Sequence, residues 1–192
     1  MGWLSWLRGG THRDRKHGTI GSFGVLPTVR FDPDLVSGDV ERMVRDMIAG
    51  ESDIPAAKRR GASRAALASI RHGRDAANLT GWLLNEIEGL PKASAQRIAR
   101  TIHNRATVMM RLARELKQGL EVGIWMHSGA PCYPLAGGGT VAGKEASATA
   151  HKRLSGQRFN LVEGALIDGE RCWPGWDERC MCTWRPVIPG FD

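Results

Sequence analysis

The chain has 192 residues, which suits one domain of ordinary size with extra tails or two very small domains. It carries a formal net charge of +7, and 42% of its residues are hydrophobic, so it can bury a core and favours polyanions or acidic protein surfaces. No apolar run approaches the roughly 20 residues needed to cross a bilayer, and "MGWLSWLRGG" lacks the features of a signal peptide. We therefore expect a protein that is intracellular at synthesis and has no membrane partner.

Residues 1–35 are predicted to form a flexible, basic N-terminal arm. Glycines recur along this segment, and Arg8, Arg13, Arg15 and Lys16 make a basic cluster. Such a segment is either a mobile terminus or a peptide that becomes ordered on a partner.

Residues 36–118 are predicted to be helical. Over 39–49, apolar residues recur at the spacing of one helix face, as Val40, Met43, Val44, Met47 and Ile48. Further helices are expected over 55–70 and 75–88, with Gly89 and Pro91 ending the third.

A long, basic amphipathic helix is predicted over 95–118, with Ser94 as its N-cap and Gly119 as the C′ residue. One face is apolar, whereas the other faces are strongly basic. The candidate contacts to nucleic acid or to an acidic partner are Arg97, Arg100, Arg105, Arg111, Arg114 and Lys117. The alternative is a solvated basic face on a helix of the core.

Residues 119–192 are predicted to form a small β/loop domain. The segments "EVGIWMHSGA", "QRFNLV" and "CTWRPVI" are typical of strands, whereas "PLAGGGTVAGKEASATA" is expected to be a loop without regular structure. The chain is thus helical first and β-rich last, which predicts an α+β fold.

The last 22 residues, "RCWPGWDERCMCTWRPVIPGFD", contain three of the four cysteines and three of the seven tryptophans. In a reducing compartment, cysteines are more often thiols or metal ligands than disulfides. Cys172, Cys180, Cys182 and the upstream His151 are the candidate metal ligands, because thiolates and imidazole bind zinc. The C-x-C spacing is not the usual C-x₂₋₄-C. Buried structural thiols and a redox or nucleophilic cysteine therefore remain alternatives.

Several short motifs follow one another along residues 79–192. A helix with "ART" leads to W-x-x-S, then H-x₄-G-x₂-F, a P-G turn, C-x-C and a terminal P-V-x-P-G-F. This order resembles the Mu F-like, or head morphogenesis, family of minor head proteins of tailed bacteriophages. The matching residues are Ala99, Arg100, Thr101, Trp125, Ser128, His151, Gly156, Phe159, Pro174, Gly175, Cys180, Cys182, Pro186, Val187, Pro189, Gly190 and Phe191. Met181 departs from the family's C-R-C, and Cys132 lies in "PCYPLAGGGTV", an insertion for which the resemblance gives no role.

The resemblance implies a structural role and no catalysis. It implies a minor head protein that acts in head morphogenesis at or near the portal vertex. Its partners would be the portal or major capsid protein and packaged DNA, with no cofactor and no small-molecule substrate. Such a protein is found in the host cytoplasm during assembly and in the virion head afterwards. Two alternatives stay open, a nucleic-acid-binding module with a small zinc site and an enzyme that pairs His151 with a nucleophilic cysteine.

Overall fold

Helices fill the first half of the residues that the structure describes. The structure is a computed structural model that describes residues 33–73, 75–130, 132–133, 142–167, 169–177 and 179–191. Residues 1–32 of the predicted arm lie outside this part. The last residues of the predicted arm, Pro33–Leu35, form one 3₁₀ turn, and Leu35 packs against the helical core.

Four helices occupy the region that the sequence predicts to be helical. They are α1 (Gly38–Gly50), α2 (Ala56–Arg71), α3 (Ala76–Glu86) and α4 (Lys92–Lys117). The apolar residues of α1 face inward as predicted, since Val40, Met43, Val44 and Ile48 are buried. Local periodicity thus sets the position of α1.

Two of the helix ends have clear causes. At the start of α3, the Asp75 carboxylate accepts hydrogen bonds from the backbone N–H groups of Ala77 and Asn78. At the end of α4, Gly119 has φ +76°, and the N–H groups of Gly119 and Leu120 bond back to the carbonyls of Leu116 and Glu115. This is a Schellman motif, which confirms Gly119 as the C′ residue.

The predicted N-cap of α4 is wrong. The helix begins at Lys92 and Pro91 occupies the N-cap position, so Ser94 lies inside the first turn. The fixed φ of proline suits a helix start, and its missing N–H removes a donor that would have no helical partner there.

The C-terminal half contains short strands and one further helix. In chain order these are β1 (Val122–Met126), α5 (Glu145–Arg153), β2 (Arg158–Asn160), β3 (Ala165–Ile167), β4 (Glu170–Cys172) and β5 (Thr183–Pro186). The strands β1, β2 and β5 fall in the three predicted segments. Helices followed by small antiparallel strands confirm the predicted α+β class.

Two predictions for this half need correction. Part of the expected loop is helix α5, because "EASATA" combines alanines with a favourable acidic first turn. The hairpin β3–β4 was not expected, since its strands have only three residues each and show little alternation.

Strand β1 lies at the centre of a three-stranded antiparallel sheet with the order β2-β1-β5. In this register Gly123 pairs with Phe159 and Pro186, and Ile124 pairs with Arg158 and Arg185. Side chains alternate across the sheet, so the buried Trp125, Phe159 and Trp184 lie on its inner face.

Helix α4 connects two hydrophobic clusters. Ile98, Ile102 and Met109 belong to the cluster formed with α1–α3, whereas Val108 and Leu112 belong to the cluster under the sheet. This double contribution fixes the sheet and its loops against the helical part.

A buried charge network reinforces the contact between α4 and β5. The Glu115 carboxylate accepts hydrogen bonds from the Trp184 indole N–H at 2.5 Å and from Arg111 Nε at 2.8 Å. The Arg111 guanidinium also donates to the Trp184 carbonyl and lies 4.0 Å from the centre of the Trp184 ring. Glu115, the single acidic residue of α4, is therefore a structural group.

Candidate metal centre

Four buried side chains meet beside the sheet. Cys180 and Cys182 lie just before β5, His151 lies on α5, and Cys132 lies beyond the end of β1. Their exposed fractions are 3%, 5%, 2% and 1%, in that order. Three separate chain segments therefore deliver four potential metal ligands to one point.

The ligand atoms are close together. All four lie within 4.8 Å of one another. Sγ of Cys132 is 3.5 Å from Sγ of Cys182, and Nδ1 of His151 is 3.3 Å from Sγ of Cys180 and 3.9 Å from Sγ of Cys182. In a tetrahedral site with Zn–S bonds of about 2.3 Å, the sulfur atoms are separated by roughly 3.8 Å. The observed separations fit such a site, and these residues can hold a metal ion.

Hydrogen bonds within the cluster shift the pKa values of two of its thiols in opposite directions. The backbone N–H of Gly175 donates to Sγ of Cys180 at 3.4 Å. Hydrogen bonds from Cys180, from Cys182 and from the backbone of Met181 lower the pKa of Cys132. The same hydrogen bonding with Cys132 and Cys180, together with burial, raises the pKa of Cys182. Three thiolates this close together repel one another, so a cation would be needed to hold all three in the ionised form.

Aromatic side chains enclose the cluster. The Trp125 and His151 rings meet edge to face, with centroids 5.2 Å apart, and the centroid of the Tyr133 ring lies 5.7 Å from that of His151. The Tyr133 hydroxyl donates to the Asp177 carboxylate at 2.5 Å. These contacts fix the ring of His151 and separate the sulfur atoms from water.

The structure brings together three of the four predicted ligands and replaces the fourth. Cys172 lies on β4, where it pairs with Ala165, and is not in the group. Cys132, for which the family resemblance gives no role, takes the place of Cys172. The ligand count could not have revealed this exchange, because the predicted set already contained the four ligands of a closed zinc site.

Half of the predicted basic contact residues make contacts within the chain instead. Arg97 pairs with Glu51 at 2.7 Å and with Asp53 at 3.3 Å. The guanidinium of Arg105 lies 5.0 Å from the centre of the Trp176 ring, and burial lowers the pKa of Arg105 although Asp177 opposes this effect. Arg111 belongs to the Glu115 network. These three arginines hold the protein together.

The other three basic residues of α4 are on the surface. Arg100, Arg114 and Lys117 are exposed. Arg100 Nε donates a hydrogen bond to the backbone carbonyl of Gln96, one turn earlier in the same helix. These three residues are the exposed half of the predicted set and the half best placed to meet a phosphate or an acidic partner.

Within the part of the chain that the structure describes, no helix combines the length and the hydropathy that spanning a membrane requires. Comparisons of the chain with protein-family models, with curated proteins and with solved structures found no match. The resemblance to the head morphogenesis family therefore rests on the quoted motifs alone.

Proposed function

We propose that this protein is a structural component of a tailed-phage head and that a structural zinc ion holds its C-terminal domain together. The observation that carries this proposal is the convergence of Cys132, His151, Cys180 and Cys182 in a buried, closed group. The metal site is inferred from the positions of these four side chains, whereas the assembly role is inferred from the sequence motifs.

Zinc is the metal that suits these ligands best. Three thiolates and one imidazole nitrogen form a Cys₃His set, which is typical of four-coordinate structural zinc. Soft sulfur ligands disfavour magnesium, calcium and manganese, which prefer oxygen. Because the ligands come from three segments, zinc binding would stabilise the folded domain directly.

The arrangement supports a structural centre and not a catalytic one. A catalytic zinc site keeps one position open for water or substrate, whereas four protein ligands fill a tetrahedron. A cysteine nucleophile paired with His151 would need a thiol that a substrate can reach. Cys180 and Cys182, the thiols nearest His151, are only 3% and 5% exposed.

The assembly role rests on the resemblance. His151, Cys180 and Cys182 are at once motif positions of the head morphogenesis pattern and members of the metal group. We propose that the partners are the portal or the major capsid protein, near the portal vertex. The protein would be in the host cytoplasm during assembly and in the head of the mature particle.

Particle analysis tests this role. Mass spectrometry of purified virions from the host strain should detect the protein in low copy number, and deletion of its gene should reduce the yield of filled heads. A normal yield of infectious particles after deletion, together with absence of the protein from virions, would reject the assembly role while leaving the zinc site untouched.

A nucleic-acid-binding module with a zinc site is the second candidate. It is favoured by the exposed positions of Arg100, Arg114 and Lys117 along α4 and by the net charge of +7. Binding to duplex DNA should then weaken steeply with salt, and replacing the three residues with alanine should flatten that dependence. Negligible DNA binding at physiological salt would exclude this candidate.

A further inference from the structure

The three-stranded sheet has a second face that neither hydrophobic cluster covers. In β1, Gly123 and Trp125 point inward, so Val122, Ile124 and Met126 point outward. Val122 and Ile124 are half-buried and Met126 is 45% exposed. Among the described residues, none of these three packs against either cluster.

Arginines flank this apolar stripe on both sides. The register pairs Ile124 with Arg158 on β2 and with Arg185 on β5, so the three side chains form one row across the outward face. Both arginines are exposed. A guanidinium has five N–H donors, so a contact within the chain still leaves donors for a carboxylate.

We propose that this outward face of the sheet binds an acidic protein segment. The segment would place apolar side chains over Val122, Ile124 and Met126, and its carboxylates would pair with Arg158 and Arg185. A positive group lies on each side of a central apolar stripe, so a matching partner needs carboxylates on both sides of its apolar side chains. The proposal is independent of the zinc site and of the assembly role.

The chemistry of the face favours a protein over a nucleic acid. Sheet surfaces that bind nucleic acids offer aromatic rings on which the bases stack. In this sheet Trp125, Phe159 and Trp184 are on the inner face and are buried. Aliphatic side chains between two arginines instead match apolar and acidic side chains of a polypeptide.

Peptide selection on the full-length protein tests the proposal. One displayed library combines Asp and Glu with Leu, Ile, Val and neutral polar residues, and a second contains Lys and Arg in place of the acids. We expect enrichment from the acidic library only. Synthetic copies of the selected peptides should shift the amide NMR signals of β1. They should not bind a variant in which polar residues replace Val122, Ile124 and Met126.

Paired charge reversals provide the control. The double variant Arg158→Glu/Arg185→Glu should weaken binding of the selected peptide at least about tenfold. It should bind a version of the peptide in which Lys replaces the acids. The variant Arg60→Glu/Arg64→Glu makes the same change of charge at exposed positions of α2 and should bind the original peptide normally.

Three outcomes would overturn the proposal. One is enrichment from neither library or from the basic library. Another is peptide binding that the α2 reversals weaken as much as the sheet reversals do. The third is binding of duplex DNA at this face, with β1 signals shifting and affinity lost in Arg158→Glu/Arg185→Glu, because the face would then be a nucleic-acid site.

Discussion

The thiol of Cys132 completes the ligand set of the candidate metal centre. It is 3.5 Å from Cys182, and the next residue, Tyr133, has a left-handed backbone with φ +56°. That conformation is rare for a bulky residue and costs of the order of 1–3 kcal/mol. A metal bound by Cys132, together with the Tyr133–Asp177 hydrogen bond, would offset this strain.

Replacing Cys132 with Ser should therefore abolish tight zinc binding, whereas Cys172→Ser should leave it unchanged. Loss of a supporting hydrogen bond alone typically lowers metal affinity about 10–100-fold, so we expect loss of a ligand to cost at least about 100-fold. Competition with a zinc indicator measures both affinities. If the two variants lost zinc equally, Cys132 would not be the fourth ligand.

Glu115 is the second residue with a predicted large effect. Its side chain is 5% exposed and accepts hydrogen bonds from Trp184 and Arg111. Glu115→Ala leaves both donors without their acceptor, so we expect the free energy of unfolding to fall by about 3 kcal/mol. Denaturant titration measures this loss, and the exposed Lys117→Ala is the control. A loss of the same small size in both variants would contradict the network.

At the scale of elements, one glycine in β1 is closely packed and one glycine in α3 is not. A Cβ added at Gly123 would be 2.8 Å from Leu161 and 3.0 Å from Phe159, both on the inner face. A Cβ added at Gly81, inside α3, would meet nothing within 4 Å. The same substitution, glycine to alanine, should therefore have opposite effects on stability at the two positions.

Gly123→Ala should destabilise the protein by about 1–3 kcal/mol through overpacking. Gly81→Ala should stabilise it by about 0.5–1 kcal/mol, because alanine favours the helix. Thermal melts of the two variants measure these effects. A neutral Gly123→Ala variant would show that β1 and Leu161 are not packed as described.

The elements also show how far the sequence predicts this fold. Helices α1, α3 and α4 follow from the local spacing of apolar residues, and α2 follows from its composition. The role of Gly119 follows from the chemistry of helix ends. Helix α5 and the hairpin β3–β4 were missed because short elements depend on packing more than on their own pattern. Cys132 was missed for a similar reason, since its contact with Cys182 joins residues 50 positions apart.

At the scale of the whole molecule, the two clusters differ in what holds them. The buried members of the helical cluster run from Val40 to Met110, whereas the second cluster needs Cys180, Cys182 and Trp184. The tail also supplies β5, one edge of the sheet. The rare side chains gathered near the end of the chain are thus part of a core.

Deletion of residues 171–192 should unfold the C-terminal domain and leave the helical cluster largely folded. Near-UV circular dichroism should lose the signal of the buried tryptophans, while most far-UV helical signal remains. A truncated protein that melts cooperatively near the full-length temperature would contradict this role of the tail.

The zinc content of the native protein tests the central claim most directly. Protein purified without chelator and analysed by inductively coupled plasma mass spectrometry should contain about one zinc per chain, and removing the zinc should melt the C-terminal domain. The thiols of Cys132, Cys180 and Cys182 should react with a labelling reagent only after the metal is removed. Protein that contains no metal after growth in zinc-replete medium, with an unchanged melt in the presence of chelator, would contradict the account.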